Sequence, residues 1–396
     1  MALAARLVPA SLAAVSRYRW TILALGTAAQ ASYSAVFLGL PVLAPDLRSE
    51  YGLDLTEVGL VLATVNLGSM VTLLGWGLLA DRLGERLVLA AGLALASGAL
   101  AAAAFAPGFA FLVVTLTLAG GAGAAVNAAS GRAVMSWFGA EQRGLALGIR
   151  QTAVPLGGVA AALVLPPLAA AGGVRAGLLA LAGGCLAAAL AGAVGLREAP
   201  PETEELEDLT SPLRDGRIWR LSFGSALLVG AQTSVLAFAV LFLHGERGLS
   251  TAAAAGILAL MQVLGAGLRI ASGRWSDRLG ARIAPLLRLS FALTVTLAVS
   301  AALTEAPLGL LLPALVAAGA LSLSWNGLSF TAAAELAGRA RSGAALGFQQ
   351  TALSVGSAAT PPVFAALVGA SSWGIAFACA ALLPLAGAGV LRRVAV

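Results

Sequence analysis

Residues 77–86 read GLLADRLGER, and residues 273–282 read GRWSDRLGAR. The two stretches are displaced by 196 residues, about half the chain. Each follows a long apolar run and sets an aspartate and arginines at its end. A second pair repeats in the same order: ALGIRQTAVPLG at 146–157 returns as ALGFQQTALSVG at 345–356, displaced by 199. Asn127 and Asn326 keep that displacement, and QAS at 30–32 is echoed by QTS at 232–234. Four matches in one order, at nearly one displacement, mark a duplicated chain.

The composition says what is duplicated. Of 396 residues, 59% are hydrophobic and only 11% charged, with a mean hydropathy of +0.93. A soluble domain carries about 25% charged residues, so this is the composition of an integral membrane protein. A membrane-spanning helix needs about 20 apolar residues. Such runs fall at 20–43, 57–79, 87–106, 109–131, 144–167, 174–195, 218–243, 251–273, 284–303, 307–331, 344–368 and 372–391. The expected fold is all-α, with twelve transmembrane helices in two pseudo-symmetric six-helix halves, 1–196 and 218–396. The polar, acidic stretch REAPPETEELEDLTSPLRDGR (197–217) reads as the linker between them. Many runs are rich in glycine and alanine, which lets helix backbones approach closely in lipid.

Arginine placement sets the expected orientation. With both termini cytoplasmic, 17 arginines fall in cytoplasmic segments, and only Arg48, Arg175 and Arg247 fall outside. The N-terminal MALAARLVPASLAAVSRYRW has a short apolar stretch broken by Pro9, and reads as a cytoplasmic lead-in rather than a signal peptide.

The same composition excludes several chemistries. All 24 basic residues are arginine, so no lysine is present to form a Schiff base. Two cysteines and one histidine make neither a disulfide scaffold nor a metal cluster. There is no nucleophile–histidine–acid set and no nucleotide loop, so neither an enzyme nor a cofactor is expected. The net charge of +6 is scattered over short loops rather than gathered into a nucleic-acid-binding face.

The stretch Gly77–Arg86 resembles the loop signature of the major facilitator superfamily, G-x-L-x-D-R-x-G-R-[RK], between helices two and three. Gly273–Arg282 resembles its degenerate partner between helices eight and nine. The resemblance covers the whole chain and implies secondary transport around a central site between two rocking halves. It assigns a gating role to Gly77, Asp81, Arg82, Gly84 and Arg86, and to Gly273, Asp277 and Arg278 in the second copy. Glu85 departs from the family, which usually has a basic residue there, and this departure weakens the latch or redirects its pairing. The fourth helix keeps glycines in TLTLAGGAGAA (115–125) without the arginine of proton-coupled members. AVPLGG (153–158) is only partly similar to the drug-antiporter motif.

All 18 acidic residues fall in expected loops or at helix ends. Proton relays in transporters use Asp, Glu or His at membrane depth, and none stands there. Four arginines do enter the spans: Arg132, Arg150, Arg269 and Arg288. Arg132 and Arg288 lie near helix ends, where snorkelling suffices. Arg150 is open to both readings, cavity cation or snorkeller. Arg269 lies eight residues before Asp277, about 12 Å along a helix. Helical phasing puts it with Gln262, Gly265 and Gly273, and assigns Ile257, Met261, Leu264 and Leu268 to a lipid-facing stripe. An inward cation without a buried carboxylate needs an anion, and the substrate is the simplest one.

Arg269, Gly273 and Asp277 also resemble the eighth helix of nitrate/nitrite, oxalate–formate and monocarboxylate transporters, where an arginine at that spacing binds the anion. No subtype fits fully. Leu73 stands where the nitrate type has a second arginine, Gln349, Gln350 and Thr351 where the oxalate type has a lysine, and Gly265 where the monocarboxylate type has an aspartate. The expected function is transport of a small organic anion by exchange or uniport, by a monomer in the cytoplasmic membrane. Supporting site candidates are Gln30, Tyr33, Asn127, Gln151, Gln232, Trp325, Asn326 and Gln350. The rivals are an exporter of amphipathic compounds and a non-transporting sensor on the same fold.

Overall fold

The computed structural model describes residues 10–138, 146, 149–197, 215–337 and 342–394; the side chains of 10–17, Asp81, Met135 and 342–344 lie outside this set. Most of the linker, 198–214, also lies outside it. Among the described residues every regular element is helical. The order is α1 (Ala10–Tyr51), α2 (Leu55–Leu83), α3 (Glu85–Ala103), α4 (Phe109–Gly123), α5 (Ala125–Trp137) and α6 (Ala153–Gly195). It continues with α7 (Gly216–Gly245), α8 (Thr251–Leu279), α9 (Ile283–Ala302), α10 (Leu308–Ser324), α11 (Asn326–Ala337), α12 (Ser342–Ala370) and α13 (Trp373–Leu391).

Among the described residues, eleven stretches are long and apolar enough to cross a membrane. One of them, Ile149–Gly195, has 47 residues and would measure about 70 Å as a straight helix, twice the bilayer core. Its path breaks at Gly172 (φ −147°, ψ 22°) and Gly173 (φ 67°, ψ −169°). The positive φ suits glycine, and the chain turns back there. This stretch is therefore the fifth and sixth spans, and the expected twelve crossings are all present. α4 with α5 makes the fourth span, and α10 with α11 makes the tenth.

Local signals fix the helix ends. Asp54 and Glu57 form a reciprocal capping box at the start of the second span, and Ser250 caps the start of the eighth. At the other end of these spans the two signature stretches turn on glycine, Gly84 (φ 82°) and Gly280 (φ 59°).

The halves meet at the end remote from the signature loops. The first span is buried on all sides over 39–45, and the seventh over 234–243. A helix buried all round lies in a core. The second span packs against the eleventh, and a Cβ on Gly59 would lie 2.7 Å from both the Ala365 Cβ and the Pro361 carbonyl oxygen. Toward the signature loops the packing thins. No residue of the second span between 70 and 79 is buried, and a Cβ on Gly75, Gly77 or Gly273 would meet nothing within 4 Å.

Candidate functional site

The fourth and tenth spans are each interrupted, at Ala124 and at Trp325. A break in a membrane helix leaves carbonyls that need donors, and neighbouring helices supply them. In the first half, Thr72 (2.7 Å) and Trp76 (2.6 Å) donate to the Gly121 carbonyl, and the Tyr33 and Ser69 hydroxyls, bonded to each other, lie 3.1 Å from the Gly120 carbonyl, which also accepts from the Ala124 N–H. In the second half, Ser272 donates to the Ser324 carbonyl at 2.8 Å and Arg269 Nε to the Leu323 carbonyl at 3.0 Å. In both halves the donors on the second and eighth spans reach across to the broken helix.

This fixes Arg269. It is half-buried, its Nε held at the break, and its Nη1 reaches the Gln151 carbonyl of the opposite half at 3.5 Å. The approach depends on Gly265, one turn earlier, where a Cβ would lie 2.7 Å from Leu323 Cβ. The expected lipid stripe beside it is only partly right. Leu264 and Leu268 are 44% and 36% exposed, but Met261 is fully buried against Gly319. Tight packing of the eighth span on the tenth accounts for the difference.

Arg150 resolves as an inward residue. It is 8% exposed, donating from Nε to Ser130 Oγ and from Nη2 to Gln30 Oε1, both at 2.9 Å. Among the described residues, no carboxylate pairs with Arg150 or Arg269. The repeat displacement of 199 carries Arg150 onto Gln349 and Ser130 onto Ser329. Gln349 is fully buried and donates to Ser329 and, at 3.4 Å, to Ser225. Of the two neighbouring glutamines it is Gln349, rather than the expected Gln350, that is buried. Gln350 is half-buried, and its carbonyl accepts from Ser354.

Gln262 is the residue that the sequence reading passed over as a site. It is fully buried, and neither its Nε2 nor its Oε1 has a hydrogen-bond partner. A Cβ on Gly158 would lie 2.6 Å from Gln262 Nε2, so the amide sits where the fifth and eighth spans cross. An unpaired buried amide costs about 1–3 kcal/mol. The signal was available: Gln262 lies two turns before Arg269 on the same helix face.

The other candidates divide. Gln232 accepts from Asn326 Nδ2 at 3.0 Å, and Asn127 is half-buried. The Tyr33 hydroxyl is bonded to Ser69 and the Gly120 carbonyl, so it ties the first span to the second and fourth. Trp325 is buried with Leu221, Leu228, Leu286 and Leu328 in the second half, and its Nε1 has no partner. At the signature loops, Asp81 falls in the last turn of α2 with its side chain outside the described set. Arg82 is exposed, and Arg86 donates to the Ala193 carbonyl at 2.7 Å. Glu85 accepts from Arg132 at 3.3 Å, a redirected pairing. In the second copy Arg282, not Arg278, is the hub. It bonds Asp277 at 2.5 Å and Glu335 at 2.9 Å, and the bond to Glu335 above all holds its pKa above the usual arginine value.

Twelve crossings in two related halves, with arginines inside the spans that no carboxylate pairs with among the described residues, define a membrane transporter. The comparisons with known proteins say which kind. The chain belongs to the Major Facilitator Superfamily, whose family profile matches residues 23–361. It is 38% identical over 372 residues to the uncharacterized MFS-type transporter Rv2994 of Mycobacterium tuberculosis (strain ATCC 25618 / H37Rv), covering 93% of this chain and 83% of that one. It is 27% identical over 132 residues to the hexuronate transporter of Bacillus subtilis (strain 168), covering 33% and 31%. Among solved structures it resembles a bacterial homolog of the human lysosomal transporter Spinster in an inward-facing, occupied conformation. That match has a TM-score of 0.74 at 15% identity and covers 96% of this chain and 97% of that one.

Proposed function

We propose that this transporter carries a small organic anion by alternating access, as an exchanger or uniporter. The reading rests on one observation. Arg150 and Arg269, one in each half, lie inside the spans with no carboxylate partner among the described residues. A membrane-embedded cation is costly unless an anion or a wet cavity compensates it, and a carboxylate substrate supplies that anion. The likeness to a hexuronate transporter agrees, since a hexuronate is a sugar acid with one carboxylate. Gln262 supplies a neutral hydrogen-bonding group on the same face of the eighth span, which suits the hydroxyls of such a substrate. We place the protein as a monomer in the cytoplasmic membrane with both termini inside, so that the signature-loop end opens to the cytoplasm.

A second reading has its own observation. A cavity of about 610 Å³ lies between the seventh, eleventh and twelfth spans, walled by Trp219, Phe223, Phe348 and Val363 and lacking any arginine. It would suit an amphipathic cargo.

The deciding experiment is thermal unfolding of the purified protein against carboxylates, inorganic anions and neutral amphipathic compounds. A ligand at about 100 times its Kd stabilises by roughly 2.7 kcal/mol. A carboxylate is expected to stabilise the wild type; stabilisation by neutral amphipathic compounds alone would promote the exporter. Gln262→Leu is expected to raise the melting temperature without ligand, because it removes an unpaired buried amide. It should also shrink the shift given by the stabilising carboxylate. An unchanged ligand shift in Gln262→Leu would remove Gln262 from the site.

A further inference from the structure

We propose that the groove between the ninth and twelfth spans, at the signature-loop end, binds one anionic phospholipid. Its phosphate is held by Arg288 and Arg392, and an acyl chain lies along Phe291 and Leu385.

The groove has a volume of about 360 Å³, and its lining includes two arginines and no carboxylate. Both cations sit at the rim. Arg288 is in the second turn of α9, just after the second signature stretch, and Arg392 caps the C-terminal end of α13. Membrane depth then increases along the walls. Phe291 lies one turn further in and is 62% exposed, and Leu385, two turns inward of Arg392, is 48% exposed. Gly389 leaves the floor open, since a Cβ there would meet nothing within 4 Å. Charge at the rim and open apolar walls below match an amphiphile with an anionic head. A free anion would use only the rim.

Two further observations mark the arginines as available to such a head. Arg288 lies over the Trp275 ring, 5.4 Å from its centroid, which orients it without neutralising it. The nearby acids of the signature copy, Asp277 and Glu335, are both bonded to Arg282. Arg288 is not repeated in the first half, where the position displaced by 196 is Gly92, buried against Ala125. Basic pockets between membrane helices bind anionic headgroups by this chemistry.

The test uses the purified full chain, depleted of lipid and then offered phosphatidylglycerol and phosphatidylcholine of equal chain length, with native mass spectrometry as the readout. The wild type is expected to retain one phosphatidylglycerol in preference to phosphatidylcholine. The double variant R288Q/R392Q should bind it about tenfold more weakly or worse. Gly389→Trp, which fills the groove and keeps both arginines, should lose it as well, and this variant carries the test if the double variant fails to fold. Inorganic phosphate in large excess should leave the lipid bound. Equal retention of the two lipids, retention by either variant, or displacement by inorganic phosphate would each overturn the proposal, the last by making the groove a free-anion site.

Discussion

Arg269→Gln is expected to cripple exchange of the carboxylate that stabilises the wild type. In proteoliposomes preloaded with that anion, the loss in kcat/KM should be about 100-fold, corresponding to roughly 3 kcal/mol for removing one partner of a desolvated charge pair. The ligand-induced thermal shift should vanish with it. Because Arg269 also donates to the Leu323 carbonyl at the break of the tenth span, the substitution removes a structural bond too. Arg269→Lys separates the two roles. It keeps the charge and loses the guanidinium fork, so it should retain part of the carboxylate response. Unimpaired exchange by Arg269→Gln would sink the anion reading.

Gly59→Leu should shift the conformational equilibrium away from the state described here. The new side chain has no room against Pro361, Pro362 and Ala365. Overpacking costs about 1–3 kcal/mol, which is a 5–150-fold change in population. Ala365 is fully buried at this seam, so Ala365→Cys in a background lacking Cys185 and Cys379 makes a reporter. It should resist a membrane-impermeant maleimide when Gly59 is present and react when leucine replaces it, with transport lost in parallel. If the reporter stays protected and transport persists, the contact between the second and eleventh spans is not the one that opens.

Much of this architecture is legible in the sequence, because in a membrane each helix announces itself by length and hydropathy and the duplication checks the count. The turn at Gly172–Gly173 falls between two expected spans. The inward setting of Arg269 follows from helical phasing. Other features were not legible. The breaks at Ala124 and Trp325 keep right-handed helical angles inside unbroken apolar runs, so nothing in the composition marks them. Arg150 stands seven residues past Arg143, a depth at which snorkelling and burial are equally open, and only its bonds to Gln30 and Ser130 decide. Gln349 and Gln350 are neighbours that differ by about 100° around the helix. Choosing between them required the strict repeat displacement, which leads from Arg150 to Gln349. Tyr33 is a ligand candidate in the sequence because a buried hydroxyl seeks a partner; its partners are Ser69 on the second span and the Gly120 carbonyl on the fourth, an interhelical pairing that the sequence does not show.

The replacement of an arginine in one half by a glutamine in the other has an electrical consequence. Arg150 has Gln349 as its counterpart, and Arg269 has Leu73, so each half contributes one fixed positive charge from a different helix. A bound monoanion leaves one of the two charges uncompensated, and a dianion leaves none. A charge that crosses the full membrane field gains or loses about 2.3 kcal/mol per 100 mV. Voltage should therefore act on the monoanion-loaded carrier and spare the dianion-loaded one, so the valence of the cargo would set how the membrane potential drives the cycle.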